Sequence, residues 1–132
     1  MIAHVQTGHG LAVVDLEEEV VVQLEPDRSI DAAPGPALSL PRVVAAAESG
    51  STIVAIVDTK PPLVVSHDSG RTWRESGRGL PPGRAISISA DDPDLILYAA
   101  RNRLFISRDG GRFWRSLALE LPEIEAVALT PA

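Results

Sequence analysis

The stretch SHDSGRTW, Ser66–Trp73, returns further along the chain as SRDGGRFW, Ser107–Trp114. Serine, aspartate, glycine, arginine and tryptophan hold the same five places in both. A frame that recurs in a chain of 132 residues points to internal structural repeats, so the flanks of the two copies are read against each other.

The downstream copy begins at Leu80: LPPGRAISISADDPDLILYAARNRLFISRDGGRFW. Within it AISIS, LILYAA and LFIS are short apolar runs rich in Ile, Leu and Ala, separated by the turn-formers ADDPD and RNR. Runs of this length bounded by such residues predict strands, and RSLALEL after the frame predicts a fourth. The copy from Leu40, LPRVVAAAESGSTIVAIVDTKPPLVVSHDSGRTW, has the same order. Four strands in a repeat of about 40 residues is the grammar of a β-propeller blade.

The chain ends complete the pattern. MIAHVQTGHGLAVVDLEEEVV aligns from the second strand onward, Met1 on Asp94 and Leu11 on Leu104, with the frame worn away. Leu16 stands for its Asp, Glu18 for its Gly and Val21 for its Trp. The closing LPEIEAVALTPA aligns with LPPGRAISISAD, a first strand without the rest of its blade. The expected fold is all-β, one domain over residues 1–132 holding three four-stranded, circularly permuted blades. Strands within 1–26 take a C-terminal strand at 124–130, a linker loop fills 27–41, and further blades lie at 42–80 and 84–121. Closed propellers take about four to eight blades, so three leave an open arc. A loose final strand is also an exposed edge. A head-to-tail homodimer answers both problems. Each C-terminal strand would complete the first blade of the partner, giving a six-bladed ring about a two-fold axis.

Composition narrows the function. Net charge is −6, which disfavours a nucleic-acid partner, because phosphate binding needs a basic face. With no cysteine there is neither a disulfide framework nor a thiolate metal site. MIAHVQTGHG has no basic leader pattern, and no apolar run is long enough to span a bilayer. The expectation is a cytoplasmic protein without membrane partner or cofactor, a trimmed secreted domain being the alternative.

The repeated frame has a structural and a functional reading. In the structural one, Asp68 and Asp109 accept hydrogen bonds from their own turns, after Ser66 and Ser107. Gly70 and Gly111 take a positive φ, and Trp73 and Trp114 pack between blades. In the functional one, the aspartates hold a metal or a sugar. The turn-clasp reading is preferred. At these residues the chain resembles the Asp-box, or BNR, repeat of sialidases. SISADDPDLILYAA is similar to the segment upstream of the box in sortilin-type receptors, xyloglucan-cleaving glycosidases and photosystem II stability/assembly factors. The resemblance covers nearly the whole chain, strongly in two blades and weakly in the first. Phe113 departs from it, since the box usually has Thr there, as at Thr72.

That resemblance implies a propeller but not one activity, because the family holds hydrolases, receptors and assembly factors. The arginine triad and the tyrosine–glutamate pair of sialidases find no counterpart. The one tyrosine, Tyr98, lies inside LILYAA, where core is expected. Nor is there a carboxylate pair set for a retaining glycosidase, and Asp91, Asp92, Asp94 and Glu17–Glu19 read as solvated turns. His4, on a strand, and His67, in a variable place of the frame, have no partner that suggests a metal site, and His9 stands alone in a turn on the face opposite the frames. The expected function is therefore a non-catalytic binding or assembly scaffold for a protein partner or an acidic small ligand. The alternative is a carbohydrate-active protein, lectin-like or a degenerate sialidase or glycosidase.

One column of the repeat alignment carries the most specific expectation. Arg42, Arg84 and Glu125 head the three innermost strands. Arginines grouped at a channel mouth would bind an anion, with Arg101, Arg103 and Lys60 as outer contributors. The competing reading pairs Glu125 with the arginines and leaves a structural ring. The link Glu25–Arg42, well longer than its counterparts in the other repeats, is expected to overhang the mouth or reach a partner.

Overall fold

In a computed structural model, residues 1–30, 36, 38, 40 and 42–130 are described. The described residues form twelve strands and no helix. In chain order these are β1 (Ile2–Thr7), β2 (Gly10–Asp15), β3 (Val20–Glu25), β4 (Val43–Ser49), β5 (Thr52–Val57) and β6 (Leu63–Ser66). Then come β7 (Arg74–Ser76), β8 (Ala85–Ile88), β9 (Ile96–Ala99), β10 (Arg103–Ser107), β11 (Arg115–Glu120) and β12 (Ile124–Thr130). They make three antiparallel four-stranded sheets. The orders are β12-β1-β2-β3, β4-β5-β6-β7 and β8-β9-β10-β11, here the terminal, second and third sheets. No helix in the described residues is long and apolar enough to cross a membrane.

Alternation explains which faces are covered. In β1, Ala3, Val5 and Thr7 are buried while the residues between them are half-exposed. Ala3 and Val5, with Ala12, Val14 and Leu16, pack onto Leu95, Leu97, Leu104 and Ile106 of the third sheet and its flank. The other face of the third sheet meets the second. There Ile86, Ile88, Ile96 and Tyr98 pack on Val54, Ile56, Leu63 and Val65. β9 is buried at every residue because both of its faces are covered, so it reads as a continuous apolar run. The third sheet is thus the middle layer, with β8 packed against both β12 and β4.

The C-terminal strand differs from the sequence expectation in one respect. β12 pairs with β1 of its own chain, Ile2 opposite Thr130 and Val5 opposite Val127, rather than with a partner's strand. The physical reason lies in the connections. Only Leu121–Glu123 join β11 to β12, so β12 is laid directly beside the third sheet. The link from β3 to β4, by contrast, runs from Pro26 to Arg42, long enough to return past the middle layer. Most of the expected overhang of Glu25–Arg42 lies outside the described residues.

Candidate functional site

The two copies of the frame fold alike. Ser66 Oγ donates to Asp68 Oδ1 at 2.7 Å and accepts from Gly70 N at 2.8 Å. Asp68 Oδ1 accepts from Thr72 N at 2.9 Å, and Asp68 Oδ2 takes the Thr72 hydroxyl at 2.5 Å. Ser107 and Asp109 repeat this, with Oδ1 accepting from Ser107 Oγ, Arg112 N and Phe113 N at 2.8, 3.1 and 3.0 Å. Gly70 and Gly111 have φ of 90° and 91°, a region L side chains rarely adopt, so the turn requires glycine there. The donors around Asp68, the Thr72 hydroxyl foremost, hold its pKa down at about 2. Asp109 is lowered as well, chiefly by Phe113 N–H. The carboxylates are occupied by their own turns, which is what a clasp does. Among the described residues no group of three or more metal-capable side chains gathers.

The terminal sheet has a clasp that the repeat alignment missed. Asp15, one place before the aligned Leu16, accepts from Glu17 N and Glu18 N at 2.9 and 3.1 Å. Its pKa is lowered, mainly by the Glu18 N–H. The signal was an Asx-turn pattern, not the repeat register. Glu19, expected as part of a solvated run, ties two sheets together instead. Its Oε1 accepts from Ala118 N at 2.9 Å and pairs with Arg115 at 3.1 Å.

The tryptophans part company. Trp114 packs in the seam between the third and second sheets, and its Nε1 donates to Ser76 Oγ at 3.2 Å. Ser76 Oγ in turn donates to Gly111 O. Tyr98 lies edge-on to both Trp114 and Phe105, with ring centroids 5.9 and 6.1 Å away. Its hydroxyl donates to Pro81 O at 2.6 Å, and burial raises its pKa to about 12. Trp73, one repeat earlier and equally half-buried, lies beside Gly70 and packs on neither core cluster.

Of the five expected anion contacts, three come together. Arg84, Arg101 and Arg103 rim a groove of about 410 Å³ between the Pro81–Gly83 link and the β9–β10 turn, with Phe105 in its wall. Arg84 donates to Glu123 at 2.7 Å, Arg101 lies 3.8 Å from the same oxygen, and Arg103 pairs with Glu120 at 3.1 Å. Arg84 therefore pairs with Glu123 rather than with the expected Glu125, which is exposed. Glu123 belongs to the link before β12 and is pinned there, since Ile124 N donates to Arg101 O at 2.7 Å and Gly8 N to Glu123 O at 3.0 Å. Lys60 lines a different groove, with Pro61, Pro62 and Arg78. Arg42 heads β4 with a positive φ of 58°, its carbonyl accepting from Asp58 N. His67 contacts Thr52 Oγ1 at 3.3 Å and Arg74 at 3.4 Å, a turn contact rather than a metal site.

No family model, curated protein or solved structure matches this chain.

Proposed function

We propose that the chain is a non-catalytic binding scaffold of the Asp-box propeller type, three permuted blades that close into a six-bladed ring with a second copy. The observation that carries this reading is the inequality of the two tryptophans. Both are half-buried, but Trp114 packs on the core cluster shared with the sheet that precedes it in the repeat, whereas Trp73, in the same frame, belongs to neither core cluster. A neighbouring blade seated on the second sheet would give Trp73 the inter-sheet packing that Trp114 has. The free face of the terminal sheet, with His4 and Val13 half-exposed, is the surface that would supply it. The two outer sheets would then meet their partners as whole sheets, without exchange of β12. The boxes act as clasps in this scheme, and the arginine-rimmed groove at the opposite end of the strands is the place for an acidic ligand.

Sedimentation equilibrium tests the assembly. The expected mass is twice the 14.0 kDa of one chain, with Trp73 shielded from acrylamide quenching in a Trp114→Phe variant. A folded monomer with a readily quenched Trp73 overturns the ring. A panel of chromogenic glycosides tests the lack of catalysis, and clear hydrolysis would move the chain to the carbohydrate-active reading.

A further inference from the structure

Glu123 places a carboxylate of the chain itself beside the arginine-rimmed groove. Two guanidinium groups converge on one of its oxygens, Arg84 at 2.7 Å and Arg101 at 3.8 Å. All three groups remain reachable from solvent, with side-chain exposures of 43% for Arg84, 79% for Arg101 and 49% for Glu123. The groove beside them is not simply basic. Pro81, Pro82, Ala100 and Phe105 contribute apolar surface, and Arg103 stands at the far rim on Glu120. The geometry is built by the backbone. Ile124 N bonds Arg101 O and Leu121 N bonds Asn102 O, so the link that carries Glu123 is laced to the turn that carries Arg101.

From this arrangement we infer that the groove takes a small carboxylate with an apolar body, and that Glu123 is a built-in competitor for the carboxylate position. The inference rests on the proposed anion site and adds the ligand class and the gate. A forked guanidinium matches a carboxylate, so the anionic end goes to Arg84 and Arg101. The apolar body then covers the Pro81–Pro82 and Phe105 surface, where burial favours hydrocarbon over water. Sulfate or acetate can satisfy the arginines but leaves that surface wet. An exposed ion pair such as Arg84–Glu123 is weak, so a ligand can displace it. Its removal is expected to tighten ligand binding only about two- to fivefold.

Titration calorimetry with phenylacetate, acetate and sulfate tests this on the wild type, Glu123→Gln, Glu125→Gln and the Arg84→Ala/Arg101→Ala double variant. Glu125→Gln makes the same charge change on an exposed residue of β12 and controls for bulk electrostatics. The expected result is phenylacetate bound more tightly than acetate or sulfate, tightened about two- to fivefold by Glu123→Gln and not by Glu125→Gln, and lost in the double arginine variant. If the three probes bind neither the wild type nor Glu123→Gln, the anion site itself is wrong. If phenylacetate binds through the arginines but Glu123→Gln leaves its affinity unchanged, the site stands and the gate is overturned. Equal affinity for phenylacetate and sulfate overturns the apolar ligand class.

Discussion

The clasp aspartates set the chain's response to acid. Asp68 has a folded pKa of about 2 against an ordinary value of 3.8, because the ionised form is held by Thr72 and Ser66 donors. A carboxylate depressed on folding stabilises above its unfolded pKa and loses that contribution as pH falls through its folded one. Asp68→Asn is therefore expected to be less stable than wild type at neutral pH. The difference should fade between about pH 4 and pH 2, read from denaturant midpoints across that range. A difference that persists unchanged at pH 2 would show that charge is not what the turn uses. Phe113 gives the complementary case. Asp109 lacks the hydroxyl donor that Thr72 offers Asp68, so Phe113→Thr should lower its pKa further in an NMR carboxyl titration. Asp68 and Asp109 were legible in the sequence because their frame repeats. Asp15 was not, because its clasp slipped one place from the repeat register and only the geometry exposes it.

At the scale of strands, β9 decides how the middle layer is held, and Gly83 decides how β9 is seated. A Cβ on Gly83 would lie 2.5 Å from Tyr98 Oη and 2.6 Å from its ring, so the link runs flush against a buried aromatic. Gly83→Ala is expected to push Tyr98 off Pro81 and Trp114, with thermal unfolding well below wild type. Tyr98→Phe loses only the bond to Pro81 O and should cost about 1 kcal/mol, whereas Tyr98→Ala should cost about 3–5 kcal/mol through the cavity it leaves. A Gly83→Ala variant as stable as wild type would mean that the link shifts freely. The strands themselves were readable. AISIS, LILYAA, LFIS and RSLALEL became β8, β9, β10 and β11 within a residue or two, because turn-formers bound each run. Gly83 was unreadable, since its role depends on a tyrosine in β9, beyond the strand that follows it, that only packing brings against it. The arginine groove was half readable for the same reason. The column of strand heads pointed at Arg84, but Glu123 enters from a link that the alignment of strands does not weigh.

For the whole molecule, the length of one connection decides which β1 each β12 joins. The terminal and second sheets lie on opposite sides of the third, so the chain leaving β3 must pass the middle layer before it starts β4. The link Pro26–Arg42 allows this, at up to about 3.3–3.6 Å per residue. The Gly77–Arg84 link, which joins adjoining sheets, is much shorter. Removing residues 27–36 leaves a link suited to adjoining sheets alone. The terminal strands would then sit beside their own second sheet, and β12 would have to find β1 of another chain. That is the exchanged arrangement expected from the repeat alignment, and the short link is expected to produce it. The absence of cysteine makes the test clean, because a His4→Cys/Ala128→Cys pair bridges opposed positions of β1 and β12 and no other thiol competes. Oxidised full-length chain is expected to run as a monomer on a non-reducing gel, crosslinked within itself. The shortened chain is expected to run as a covalent dimer, with circular dichroism still that of a β protein. A shortened chain that still crosslinks only within itself would show that link length does not hold β12 to its own sheet.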